Sequence, residues 1–214
     1  MRVIAGSAKG RPLRAPTSMS TRPMADRVKE SLFNILAGMG YPQETDRVLD
    51  LYAGTGSLGI EALSRSAAWC DFVEQASAPG GCITANLAST ALTAGGKLYP
   101  ISVAAFLRGA DTLTRRAGPA HNAAGYDIIF CDPPYADPTI PALLEQLGAW
   151  PGLNAGGVLV FGHATQVVLP DAVGRLARVR YRKWGGSAFS LYRPADDVDT
   201  ERAGVPGAVD EEEE

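Results

Sequence analysis

Arg47-Val-Leu-Asp-Leu-Tyr-Ala-Gly-Thr-Gly-Ser-Leu-Gly59 is the stretch whose reading decides the fold. A short apolar run passes into a glycine-rich turn and then into a helical pattern carrying Leu58 and Leu63. That order opens a nucleotide-binding βα unit, because glycines without a Cβ let a ligand approach the backbone. Ala53, Gly54 and Gly56 would form the wall of such a site. Taken alone, Gly54, Gly56 and Gly59 also fit the Gly-x-Gly-x-x-Gly fingerprint of a dinucleotide site, so an NAD oxidoreductase competes. Asp50 argues against it. An acid ahead of the turn faces a pyrophosphate badly, whereas it suits the ammonium or water shell of a zwitterionic amino-acid moiety such as that of S-adenosylmethionine. Glu74 closes the next apolar run, Cys70-Asp-Phe-Val-Glu74, about twenty residues after Gly54, the spacing of an acid on ribose hydroxyls. Both cofactor classes would use it.

Downstream, Tyr126-Asp-Ile-Ile-Phe-Cys-Asp-Pro-Pro-Tyr135 turns the balance toward methyl transfer. The exocyclic amine of a nucleobase is a poor nucleophile, since its lone pair is delocalised into the ring. An enzyme must hold its two protons with acceptors and turn the lone pair toward the donor. Asp132 supplies one acceptor and the carbonyl of Pro133 a second, with Pro134 stiffening the turn, because proline loses its N–H but keeps its C=O. Tyr135 offers a flat face for a base. The bland alternative is a strand ended by an Asp-initiated proline turn. Paired with the glycine-rich turn, that alternative loses ground.

With both motifs in view the chain resembles the bacterial 16S ribosomal RNA guanine-N2 methyltransferases of the small subunit, whose target is guanine 966. The resemblance runs from Arg2 to about Arg193. It rests on Arg2-Val-Ile-Ala-Gly6, Lys9-Gly-Arg11, Thr21-Arg-Pro23, Asp26-Arg-Val-Lys-Glu-Ser-Leu-Phe-Asn-Ile-Leu36, Leu49-Asp-Leu-Tyr-Ala-Gly-Thr-Gly56, Leu58-Gly-Ile-Glu-Ala-Leu-Ser-Arg65, Phe72-Val-Glu74 and Asp132-Pro-Pro-Tyr135. The stretch around Phe33-Asn34 is the most family-specific. The resemblance implies the guanine and the ribosomal RNA, within a small-subunit particle or assembly intermediate; the residues alone supply amine methylation. It also places Ser102 and Val103 against the adenine of the cofactor. The sequence departs from the family pattern at Met24, where threonine is usual, and at Ser102-Val103, where Asp or Asn is usual. A further departure is Phe161-Gly-His163, which replaces an acid. Gln75-Ala-Ser-Ala-Pro-Gly-Gly81 is expected to interrupt a helix, since proline and glycine are costly in a helix interior.

Charge is unevenly spread. Residues 196–214 carry nine acids against Arg202, a balance of −8; the whole chain carries −3, so residues 1–195 carry +5. A tail this acidic and poor in apolar residues cannot offset its ordering entropy and is expected to be disordered. The first thirty residues hold seven bases against Asp26 and Glu30. Of these, Arg2, Lys9, Arg11, Arg14, Arg22 and Arg27 are the candidate RNA contacts, on a basic β-hairpin able to follow phosphates. A second set, Arg175, Arg178, Arg180, Arg182, Lys183 and Arg193, contains no intervening acid. Alternation through Arg178-Val-Arg-Tyr-Arg182 reads as a strand with one polar face, which solvent explains nearly as well as RNA does.

The three cysteines, Cys70, Cys82 and Cys131, lack metal-type spacing and read as reduced thiols, so no metal is expected. No run approaches the ~18 apolar residues of a membrane span, which points to a cytoplasmic protein, and nothing demands more than a monomer. The expected fold is α/β: a doubly wound, mostly parallel, seven-stranded class I methyltransferase sheet with an N-terminal basic β-hairpin. Strands are expected at about 47–52, 70–74, 97–101, 126–131, 157–161, 176–183 and 188–192, after a first helix at about 24–37. Three segments follow: 1–23 as an RNA-contacting extension, 24–195 as the methyltransferase domain and 196–214 as the tail. Rival readings are an adenine-N6 methyltransferase acting on DNA or RNA, a noncatalytic RNA-binding module and the NAD enzyme.

Overall fold

The computed structural model describes residues 1–16, 26–114, 125–135 and 140–198. In chain order its elements are α1 (Asp26–Gly38), β1 (Arg47–Leu51), α2 (Ser57–Ser64), β2 (Trp69–Val73), α3 (Ser77–Thr90), β3 (Gly96–Tyr99), α4 (Val103–Thr114), β4 (Tyr126–Cys131), α5 (Ile140–Ala149), β5 (Leu153–Ala164), β6 (Ala172–Val173), β7 (Leu176–Trp184) and β8 (Ser187–Pro194). All strands join one sheet in the order β3-β2-β1-β4-β5-β8-β7-β6. β3 through β5 pair in parallel, and β8, β7 and β6 add antiparallel. This is the class I methyltransferase arrangement. The eighth strand, beyond the seven expected, is the two-residue edge piece β6.

Every residue of β1 is buried, as a strand covered on both faces requires, with Val48, Leu49 and Leu51 supplying its apolar content and Arg47 and Asp50 its buried charges. Alternate residues feed two cores. Val48, Phe72, Phe130 and Val160 meet Leu32, Phe33 and Leu36 of α1 and Ile60 of α2 on one face. Leu49, Val73, Ile129 and Leu159 meet Phe106 of α4 and Leu144 of α5 on the other. At the N-terminal edge of the sheet, the Asp71 carboxylate accepts hydrogen bonds from the Trp69 indole and the Tyr126 hydroxyl, each at 2.8 Å, and pairs with Arg47 at 3.4 Å. That buried network ties the starts of β1, β2 and β4 together and leaves their other ends for the site.

Two expectations change. The N-terminal segment is an irregular hairpin without a strand ladder: one isolated bridge, Arg2↔Pro12, and backbone hydrogen bonds from Val3 to Arg11, Gly10 to Val3 and Leu13 to Met1 join its arms. Pro12 has no N–H for a ladder, and the N–H groups of Ile4 and Ala5 donate instead to the Glu61 carboxylate at 2.7 and 3.0 Å. The segment folds back onto the domain, with Val3, Ala8 and Leu13 in the same core as α1 and α2. Residues 75–81 do not interrupt a helix either. α3 starts at Ser77, which puts Pro79 in its first turn, where an N–H has no helical partner to lose. Residues 196–198 belong to the described structure, with the Asp197 carboxylate accepting the Gly156 N–H. Met24, Arg22 and residues 199–214 lie outside the described residues.

Candidate active site

The chain leaves β1 through Tyr52, Gly54 and Gly56, all at positive φ (55°, 55° and 76°), and turns directly into α2. A Cβ on Gly59 would lie 2.4 Å from the Phe72 ring and 2.5 Å from the Cys70 sulfur, so this glycine lets α2 lie on β2. Asp50, buried in β1, accepts the Gly59 N–H at 2.9 Å. Burial, reinforced by the charges of Asp132 and Glu74, pushes its carboxyl up to about 8. Glu74, past the end of β2, accepts the N–H of Gly54 at 2.9 Å and of Ala76 at 2.7 Å. One carboxylate thereby fixes the glycine turn against the loop that follows the neighbouring strand.

Asp132 follows β4, the strand on the other side of β1. Burial raises its carboxyl to about 6, partly offset by a hydrogen bond from Tyr135. Its Oδ1 is buried and has no hydrogen-bond partner among the described residues. Gly162 of β5 makes room for that oxygen, since a Cβ there would come within 2.2 Å of it. Pro133 is buried, Pro134 exposed and Tyr135 half-buried. The Tyr135 hydroxyl is hydrogen-bonded to Asp132 and to Ser187 at the head of β8, and burial pushes it up to about 12. Three acids, Asp50, Glu74 and Asp132, thus stand at the carboxyl ends of three adjacent strands, the place where open α/β sheets bind ligands. Burial and mutual repulsion oppose the ionisation of Asp50, and a cationic ligand would favour its charged form, so the cluster suits such a ligand.

Ser102, just past β3, caps α4 by accepting the Ala105 N–H at 3.2 Å, and Val103 begins that helix buried. The hydroxyl read as an adenine contact therefore has a structural partner as well. His163 is buried with its ring nitrogens 3.0 Å from the Ala164 carbonyl and the Ser190 hydroxyl, and burial lowers its pKa. Cys131 is a free, buried thiol whose pKa burial raises well above the ordinary value. Among the described residues no cluster of His, Cys, Asp and Glu is arranged to hold a metal.

The N-terminal bases divide. Arg2 pairs with Asp26 at 3.3 Å, and Arg11 donates to the Ser89 carbonyl at 3.2 Å. Lys9, Arg14 and Arg27 are exposed. The backbone of Arg14 is held by Asn86, whose side-chain amide also donates to the carbonyl of Thr55 at 3.0 Å. One buried amide therefore ties the basic segment to the glycine turn. Sequence reading missed Gly162, Ser187 and Asn86. A glycine inside a strand signals close approach of another group, so Gly162 was findable; nothing local marks Ser187 or Asn86.

The family described as Conserved hypothetical protein 95 matches residues 1–193. The Ribosomal RNA small subunit methyltransferase D of Escherichia coli is 38% identical over 194 residues, 90% of this chain and 89% of that one. YlbH of Bacillus subtilis is 37% identical over 193 residues, 90% of this chain and 98% of its own. The solved structure of a hypothetical protein of Thermus thermophilus superimposes with a TM-score of 0.74 at 28% identity, covering 90% of this chain and 99% of its own.

Proposed function

The chain belongs to the Conserved hypothetical protein 95 family, and from that premise we propose that it methylates ribosomal RNA with S-adenosylmethionine, at the exocyclic N2 of a guanine in the 16S RNA of the small subunit, guanine 966. The observation that carries the reading is the Oδ1 of Asp132, buried beside Pro133 and Tyr135 with no hydrogen-bond donor among the described residues. A buried acceptor without a donor is costly, and an incoming amine N–H would satisfy it.

The residues present fit the cofactor. Asp50 and the glycine turn would face its amino-acid part, and Glu74 retains acceptor capacity for ribose hydroxyls beyond its two backbone donors. Bound there, S-adenosylmethionine would supply an electrophilic methyl on a positively charged sulfur. The protein's own contribution is positioning. Asp132 and the Pro133 carbonyl hold the two amine protons, and Asp132 takes up the one that leaves once the methyl is on nitrogen. Tyr135, anchored through its hydroxyl by Asp132 and Ser187, presents its ring to the base. A base within a folded RNA would be extruded to reach this depth.

Small subunits or assembly intermediates from cells lacking the gene, incubated with the protein and methyl-labelled S-adenosylmethionine, should yield N2-methylguanosine at one site by nucleoside mass spectrometry. Asp132→Ala should abolish that product while cofactor affinity stays within about twofold, and Glu74→Ala should weaken the cofactor first. N6-methyladenosine as the product, or full turnover by Asp132→Ala, would overturn the assignment.

A further inference from the structure

The second basic cluster, Arg175 to Arg193, is sorted by the tertiary structure into anchored and unanchored members. Arg175 donates to the carbonyls of Trp150 and Leu153, the latter at 2.6 Å, and pins the start of β7 to the end of α5. Arg178 pairs with Asp171 and donates to the Leu169 carbonyl at 3.2 Å. Arg180, Arg182 and Lys183 are exposed, and no carboxylate among the described residues pairs with them.

Sheet register assigns these side chains to faces. Arg178 stands opposite Tyr192, whereas Arg180 stands opposite Leu191, because the ladder slips by one residue at Val179. A bulge of this kind re-aims the side chains that follow it. Arg178 therefore shares the face of Tyr192, while Arg180, Arg182 and Trp184 share the face of Leu191, Phe189 and Ser187. Leu191 and Phe189 belong to the core that α1 covers. At the upper end of this stripe Trp184 packs edge-on against Phe189 at 5.9 Å and faces Ser187, the residue bonded to Tyr135. At its lower end Arg180 lines a cleft of about 360 Å³ with Gly38, Met39, Val179 and Arg193, between the C-terminus of α1 and the hairpin.

We propose that this face of the β7–β8 hairpin carries the RNA strand that flanks the target base, with Trp184 stacking a neighbouring base and Arg180 and Arg182 holding successive phosphates on the way to the cleft. The inference rests on the proposed RNA methylation and specifies where its substrate lies. Arginines two apart on one strand face are separated by about 7 Å and track a backbone rather than a single anion. An aromatic platform followed by a basic groove is the combination that binds single strands without reading sequence. The geometry gives no such role to Arg178, on the opposite face and already paired.

The test compares wild type, R180Q/R182Q, R182K, W184L and R178Q for binding to 16S RNA transcribed in vitro across a salt series, with cofactor affinity and methylation kinetics on small subunits measured in parallel. Removing two phosphate contacts should weaken RNA binding about tenfold near physiological salt and lower the slope of log K against log salt by roughly 1.4 if the strand is single. R182K should keep most of the slope. W184L should raise KM for RNA without changing the slope, and R178Q should leave both unaltered. Cofactor affinity should be the same in every variant. Unchanged RNA binding and slope in R180Q/R182Q, beside an active wild type, would overturn the proposal alone. Weaker methylation of subunits with intact binding to free RNA would assign the face to a ribosomal protein and overturn it too. A wild type that binds S-adenosylmethionine but methylates no RNA would sink the functional reading itself, and this proposal with it.

Discussion

At the residue scale, the role proposed for Asp132 makes opposing demands. In the proposed reaction it must be ionised to accept an amine proton, yet it is held where burial raises its carboxyl to about 6. Above that value the carboxylate predominates. As pH falls through it the group takes up a proton and loses one acceptor position, so turnover should decline about tenfold per pH unit below 6. A kcat/KM profile on RNA substrate, which reports the ionisations of the unbound enzyme, would show this as an acidic limb near 6; a limb near 4, the range of an ordinary aspartate, would contradict the assigned role. Gly162 sets the position of the same carboxylate, because a Cβ there would lie 2.2 Å from Oδ1. Gly162→Ala should displace Asp132 and reduce kcat by about 10²-fold, the scale expected for a misplacement near 1 Å. The folded spectrum should be retained, and the same profile measures the loss.

At the scale of elements, the N-terminal segment is fastened by the C-terminal half of α2. Glu61 is fully buried and accepts the N–H groups of Ile4 and Ala5, while Lys29 and Arg65 compensate its charge at 3.2 and 2.8 Å. Lys29 also donates to the Arg2 carbonyl at 2.7 Å, which joins α1 to the same point. Burial lowers the Lys29 pKa even against the charge of Glu61, so the pair depends on its hydrogen bonds. Ser64 takes the next residues: its hydroxyl donates to the Ala5 carbonyl at 2.6 Å, and its carbonyl accepts the Ser7 N–H at 2.7 Å. Gly6, at φ 82°, permits that approach, since a Cβ would fall 1.7 Å from the Ser64 oxygen. Gly6→Ala should therefore cost at least about 3 kcal/mol, combining left-handed strain with the loss of packed hydrogen bonds. Urea denaturation would register it as a lower midpoint, and limited proteolysis as earlier cleavage within residues 1–16. An unchanged midpoint would show that the segment adds little to the fold.

At the scale of the whole molecule, the balance of +5 over residues 1–195 lies opposite a terminal stretch of −8. Charges separated in water by more than about 8 Å are largely screened at physiological salt. Deleting residues 199–214 should accordingly leave kcat unchanged and KM for RNA within about twofold at 0.15 M salt; a fall in KM well beyond that would mean that the acids compete with phosphate for the basic surface. Most of the architecture was legible in the sequence, because strands buried on both faces are mostly apolar, and β1, β2 and β4 are short apolar runs with few charges. The shared placement of Asp50, Glu74 and Asp132 was legible for a related reason: Glu74 and Asp132 follow their strands and Asp50 stands one residue before the end of β1, so chain order sends all three to the carboxyl ends of a parallel sheet. Other features were decided only by tertiary structure. The bulge at Val179 that parts Arg178 from Arg180 depends on pairing with β8, and the Ser187 contact to Tyr135 joins residues fifty-two apart. The N-terminal arms meet in one bridge and three backbone hydrogen bonds instead of a ladder, because Glu61, distant in sequence, takes the donors of Ile4 and Ala5. Local pattern fixes which face of an element is apolar, whereas register and long-range hydrogen bonds depend on which elements become neighbours, and that is determined when the core closes.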